Sequence, residues 1–157
     1  MTQSLFEYTT TVKKTWVDHN GHMNDAEYNR VFSDATDGWL ATLGLDLQAI
    51  EQLQYTIFTL ENHVMYLKEI TVNESITVTV ELFDFDTKRL HVFMTLTNEQ
   101  NDRCATYEVM LMGIDTEYNK PKPFPETIRK SVELYADIAL IQHQPKELGH
   151  HIGIKRK

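Results

Sequence analysis

The apolar residues of this chain keep one period over a single long segment and another over nearly everything that follows. Tyr28, Val31, Phe32, Ala35, Trp39 and Leu43 recur at spacings of three and four, which puts them on one stripe of an amphipathic helix. Gly44 stands where such a helix ends. After a connector of helical character over 45–53, the period falls to two and stays there. Strands are expected over 56–67, 75–83, 89–97 and 104–114. The clearest is 75–83, with Ile76, Val78, Val80 and Leu82 on one face and Thr77, Thr79 and Glu81 on the other. A Thr-rich, aromatic strand over 5–12 precedes the helix, and the polar run 98–102 suits a hairpin loop.

The order is therefore strand, long helix, four strands. A parallel doubly wound sheet is excluded, because each of its strands needs a helical crossover to the next. The remaining solution is an α+β fold: an antiparallel five-stranded sheet wrapped around one long central helix, burying Phe32 and Trp39 on its inner face. Pro121, Pro123 and Pro125 close the sheet region, and a last helix is expected from about 126 to 140. The polar tail from His143, ending Lys155-Arg-Lys157, reads as a surface arm. No repeat, low-complexity stretch or linker interrupts the 157 residues, so 1–157 reads as one domain, with 126–157 as its helix and tail.

Composition limits the function. Hydrophobic residues at 41% and charged residues at 24% fit a soluble globular protein rather than a disordered one. A formal charge of -8 argues against a nucleic-acid partner, which requires a basic face. The single cysteine, Cys104, permits no internal disulfide and fits a reducing compartment. The first residues lack the basic region and apolar run of a signal peptide, and no apolar segment reaches bilayer length. A cytoplasmic location without membrane contact is expected.

Between the first strand and the helix lies Trp16-Val-Asp-His-Asn-Gly-His-Met-Asn-Asp-Ala-Glu-Tyr28. With a helix starting near 24–26, this loop delivers polar side chains to a helix N-terminus, where backbone N–H groups lack partners and the macrodipole is positive. Such a terminus can hold a developing oxyanion. Gly21 lets the turn approach a ligand. Asp18 follows the apolar pair Trp16-Val17, where partial desolvation would make its carboxylate a better base or nucleophile. Asn24 or Asp25 acting only as a helix cap accounts for the same residues, and the two readings are compatible. A metal site from Asp18, His19, His22 and Asp25 lacks a remote ligand, so none is expected. A serine nucleophile in a G-x-S-x-G setting does not occur.

Asp18-x-x-Gly-His-Met-Asn24, followed by Tyr28 and the long helix, resembles the motif of hot-dog-fold acyl-CoA thioesterases of the 4-hydroxybenzoyl-CoA thioesterase type. The likeness continues through Tyr66-Leu-Lys68, strand 75–83 and Asp86-Thr-Lys-Arg-Leu90, covering roughly 5 to 115. Within that family the chain is similar to the carnitine-breakdown (betainyl-CoA) thioesterases. Trp16-Val-Asp18, Phe32-Ser-Asp-Ala-Thr-Asp37, Phe58-Thr-Leu-Glu61, Lys88-Arg-Leu-His91 and Gly153-Ile-Lys-Arg156 carry that likeness. The resemblance implies hydrolysis of a CoA thioester, on betainyl-CoA or another short acyl-CoA, with no cofactor beyond the CoA of the substrate. It implies a homodimer or dimer of dimers whose sheets join edge to edge, with each active site at the subunit boundary.

On that pattern Asp18 is the nucleophile or general base, and the Asp25 N–H polarises the thioester carbonyl. Gly21, His22, Asn24 and Tyr28 line the substrate site, while Thr59 and Glu61 approach from the partner subunit to position water. A polar sheet edge explains Thr59 and Glu61 equally well. Lys88 and Arg89, with Lys68, are candidates for the CoA phosphates, or else the solvated end of a hairpin. Asp34 and Asp37 are candidates for a cationic acyl group, or ordinary surface acids. Two other functions remain open: a hot-dog hydratase or dehydratase using His22 as base, and a non-enzymatic acyl-CoA binding module. Asp18 favours hydrolysis, since a binder needs no placed carboxylate.

Overall fold

A computed structural model of the chain describes residues 4–156. β1 (Phe6–Thr11) passes through a short 3-10 turn, Lys14–Trp16, into α1 (Asp25–Thr42), and α2 (Leu47–Leu53) follows. Four long strands come next: β2 (Tyr55–Tyr66), β3 (Ser75–Phe85), β4 (Arg89–Thr97) and β5 (Arg103–Asp115). A two-residue β6 (Lys120–Pro121) and α3 (Glu126–Ala139) complete the chain's elements. The antiparallel sheet is ordered β1-β3-β4-β5-β2, with β6 beside the end of β5. The expected hot-dog α+β arrangement is thus present, with β6 as a sixth strand. A Lys-Pro pair has no alternation by which it could be read from sequence.

The apolar stripe of α1 determines the packing. Phe32 and Trp39 are both 0% exposed, against inner-face residues such as Val78, Val80, Leu82, Val92 and Met94. α3 packs Ile128 and Val132 into the same core and sets Tyr135 edge-on to Trp39, with ring centres 5.4 Å apart. The Tyr135 hydroxyl accepts from the Phe6 N–H at 2.9 Å and donates to the Val80 carbonyl at 2.6 Å, fastening β1 to β3 where their pairing begins. At Gly113 a Cβ would lie 1.7 Å from the Tyr55 hydroxyl and 2.8 Å from the Lys122 carbonyl, so only glycine lets β2, β5 and β6 meet there.

Two features of the sheet differ from strict alternation. A bulge at Leu60 shifts the β2–β5 register between Thr59 and Glu61, and another shifts β3–β4 between Leu82 and Asp84. The tail is also more integrated than a surface arm. Glu147, its side chain 1% exposed, accepts from the two terminal guanidinium nitrogens of Arg103 at 3.1 and 3.2 Å, and Leu148 is buried beside it. A charged residue can be buried this way because its partner offers a planar fork. Residues 151–156 are exposed as expected. Among the described residues no helix is long and apolar enough to cross a membrane.

Candidate active site

The turn 18–24 is held from both sides. The Asp18 N–H donates to the His22 carbonyl and the Gly21 N–H to the Asp18 carbonyl, each at 2.9 Å, while Val17 and Met23 form a bridge. Gly21 has φ +79°, the left-handed conformation that this reversal needs. Met23 N–H donates to the Ile70 carbonyl and Asn24 N–H to the Trp16 carbonyl, both at 2.8 Å, so the turn is tied to the core before α1 begins.

Asp18 lies at the exposed corner of this turn. Its Oδ1 accepts from the Asn20 N–H at 2.8 Å and the His22 N–H at 3.2 Å. The Asn20 bond chiefly holds the carboxyl below its ordinary range, outweighing a smaller desolvation effect that raises it. The expectation of a desolvated, more basic Asp18 is therefore corrected: local N–H donors that stabilise the ion prevail over the neighbouring Trp16-Val17 pair. Among the described residues Oδ2 has no hydrogen-bond partner, which leaves one oxygen free for chemistry.

Asn24 caps α1, its Oδ1 accepting from the Ala26 N–H at 3.0 Å, and the Glu27 N–H returns to the Asn24 carbonyl at 3.0 Å. Among the described residues nothing accepts from the Asp25 N–H. An unused donor at the first position of an 18-residue helix is equipped for an oxyanion. Beside it opens a cavity of ≈ 290 Å³, lined by His22, Met23, Asp25, Tyr28, Tyr66 and the run Leu67-Lys68-Glu69. Tyr66 donates its hydroxyl to the Asp25 carbonyl at 3.2 Å and meets Tyr28 edge to face, with ring centres 5.0 Å apart and planes at 87°. Burial pushes the Tyr28 phenol up to about 12 and raises that of Tyr66, so both rings stay neutral in ordinary buffers. His22 Nε2 lies 3.2 Å from Glu69 Oε2.

The structure thus brings His22, Asp25, Tyr28 and Lys68 to one cavity, with Asp18, Gly21 and Asn24 on the adjoining turn. It does not bring Thr59 and Glu61 there within one chain, nor to the same face. Alternation would align those two, but the bulge at Leu60 separates them. Thr59 pairs with the core residue Leu111, whereas Glu61 pairs with Met110 and lines an outer-face cavity of ≈ 550 Å³ with His63, His91, Glu108 and His150. Lys88 and Arg89 lie at the β3–β4 turn and do not line the cavity at the α1 terminus. Arg89 is engaged by Asp86, Nε to Oδ2 at 2.7 Å, a pairing that depresses the Asp86 carboxyl to about 2. Lys68 is engaged by Asp102 at 2.5 Å. Two of the three cations expected to be free for phosphate therefore already have carboxylate partners.

Glu69 was not readable as a site residue. It reaches the α1 terminus only because Ile70 and Thr71 pair with Met23 and His22, a contact between segments nearly fifty residues apart. Tyr66 likewise had meaning only as part of a resemblance. Asp18, His19, His22 and Asp25 do not converge as metal ligands; among the described residues no three His, Cys, Asp or Glu side chains do.

The chain has relatives among known proteins. Residues 12–132 match the model of the Thioesterase-like superfamily. The betainyl-CoA thioesterase of Pseudomonas aeruginosa is 35% identical over 155 residues, covering 98% of each chain. The L-carnitine dehydrogenase/betainyl-CoA thioesterase of a Rhizobium species is 32% identical over 148 residues; these cover 94% of this chain and 30% of that longer protein. A Staphylococcus aureus protein solved in complex with CoA superposes with a TM-score of 0.94 at 41% identity, covering 99% of this chain and 98% of that one.

Proposed function

The chain belongs to the Thioesterase-like superfamily and is by that membership a thioester hydrolase, and from this premise we propose that Asp18 and the start of α1 form its catalytic centre on an acyl-CoA. The observation that carries the reading is one pinned turn with an ionised carboxylate at one end and an unused helix-terminal N–H at the other. The thioester carbonyl accepts from the Asp25 N–H. As the carbonyl carbon becomes tetrahedral, its oxygen gains charge, and the donor and helix dipole stabilise that charge more than the ground state. The free Asp18 oxygen either attacks the acyl carbon, expelling CoA thiolate to leave an anhydride that water opens, or removes the proton of an attacking water. Both routes yield the free acid and CoA with no further cofactor. The names of the relatives support betainyl-CoA, or another short acyl-CoA, as substrate.

The assembly we propose is a homodimer, itself able to pair into a dimer of dimers. β2 is a free sheet edge carrying Phe58 and Leu60, 45% and 50% exposed, at its centre. A long, apolar, unpaired edge of this kind favours pairing with a second copy. In that arrangement Thr59 and Glu61 stand at the boundary and can reach the partner's site. Lys88, which has no carboxylate partner among the described residues, then offers its ammonium to the CoA phosphates, while Arg89 contributes by exchanging Asp86 for phosphate and Lys68 stays on Asp102. We assign the reaction to the cytoplasm.

A panel of short, long, aromatic and betainyl CoA esters, followed by thiol release, tests the reading. Release of CoA from the short esters is expected; no release from any ester would overturn it. The same assay separates hydrolysis from a hydratase reaction built on the His22–Glu69 pair, which would change the acyl chain and release no thiol.

A further inference from the structure

The acyl group of betainyl-CoA carries a quaternary ammonium on the carbon next to the scissile carbonyl. Across two single bonds, its nitrogen lies about 2.5 Å from the carbonyl carbon, the same span as N to C across one amino-acid residue. Whatever receives the cation must therefore adjoin the group that receives the oxyanion. Asp34 and Asp37, nine and twelve residues beyond Asp25, lie about 13 and 18 Å further along α1 at the helical rise. They are too distant along their own helix to serve. The Asp37 carboxyl is raised, by burial first and then by Asp34, and among the described residues it makes no ion pair.

The cavity beside the Asp25 N–H has the right contents. The Tyr66 ring, half-exposed into it, is fixed by its hydroxyl on the Asp25 carbonyl and by edge-to-face packing on Tyr28. Met23 and Leu67 supply apolar wall for methyl groups. The charged lining consists of Asp25, Glu69 and Lys68, with His22 on Glu69; the Lys68 ammonium is already neutralised by Asp102. Two carboxylates and an aromatic face without a free cation attract a quaternary ammonium and repel an anionic acyl chain.

Resting on the thioesterase reading above, we propose that this cavity is the subsite for a quaternary ammonium on the acyl group. Tyr66 is its aromatic wall, and Asp25 and Glu69 supply the countercharge. Tyr66 is then the residue that determines specificity, acting on the part of the substrate next to the reacting carbon.

The test uses the full chain and two esters of nearly equal shape: betainyl-CoA, and 3,3-dimethylbutyryl-CoA, in which carbon replaces the charged nitrogen. The charged ester is expected to be preferred about 10-fold in kcat/KM, between the sizes of an exposed and a desolvated cation–aromatic contact, as suits a half-exposed ring. Tyr66→Leu should reduce that ratio toward one. Tyr66→Phe, which keeps the ring, should retain it, and Glu69→Gln should lower it by a smaller factor. Equal rates on the two esters in the unaltered chain, or a Tyr66→Leu variant slowed equally on both, would refute the subsite while leaving the hydrolase intact. Absence of thiol release from every CoA ester would overturn the hydrolase reading and the subsite with it.

Discussion

Asn24 holds the helix terminus on which the oxyanion argument depends, and replacing it by alanine isolates that contribution. The substitution removes the 3.0 Å bond from the Ala26 N–H while keeping the backbone bond from Asn24 N–H to the Trp16 carbonyl. Loss of an N-cap of this kind costs ~1 kcal/mol. For a chain of 157 residues that lowers Tm by about 2–4 °C. Serine restores a capping oxygen without adding charge beside Asp25 and Glu27, so Asn24→Ser should recover most of the loss. Activity should fall further than stability. The Asp25 N–H is the next donor along, and a misaligned oxyanion donor costs up to about 10²–10³ in kcat. Thermal unfolding and steady-state thiol release, measured on both variants, read the two effects separately. If Asn24→Ala unfolds at the parent temperature and hydrolyses at the parent rate, the shared use of one terminus by cap and site is refuted.

At Gly113 an alanine Cβ meets the Tyr55 hydroxyl, ring and Lys122 carbonyl at 1.7, 2.7 and 2.8 Å. Overpacking and the lost Tyr55–Lys122 bond together should cost about 3–5 kcal/mol, seen as a Tm loss near 10 °C; Tyr55→Phe should not rescue it, because the ring carbon remains. Arg103→Ala strands the buried Glu147 carboxylate and should destabilise by ~2–4 kcal/mol, whereas Glu147→Gln, which removes the charge and keeps one of the two bonds from Arg103, should cost less in denaturant melts. Asp18 has a depressed carboxyl, so its ionised form is present at and above pH 3.8 and is lost only as pH falls through a value below that. The kcat/KM profile should show no acidic decline between pH 5 and 7; a limb near pH 6 would contradict the local bonding.

Much of the fold was readable because it rests on local periodicity. The stripe from Tyr28 to Leu43 could only be a helix, and Ile76 to Leu82 only a strand. The Asn24 cap followed from residue chemistry next to that stripe. The unread features all depend on contacts across the sheet. Glu147 looked like part of a polar tail until Arg103, more than forty residues away, provided a buried partner. Thr59 and Glu61 looked like one face until a single bulged residue reversed the alternation. Tyr66 and Glu69 became site residues only through β2 and the bridge from His22 to Thr71. The turn proposed as the catalytic one was legible as a polar loop and helix cap; the cavity opposite it was not, because half of its wall comes from another part of the chain.

The most direct test of the account is thiol release by Asp18→Asn. The asparagine keeps an oxygen in place of Oδ1 for the Asn20 and His22 N–H groups, so the turn and the melting curve should be retained. Turnover of the best CoA ester should fall by ~10²–10⁴ or more, with CoA binding unchanged. A folded Asp18→Asn variant that releases thiol at the parent rate would contradict the assignment of Asp18 as the reacting carboxylate.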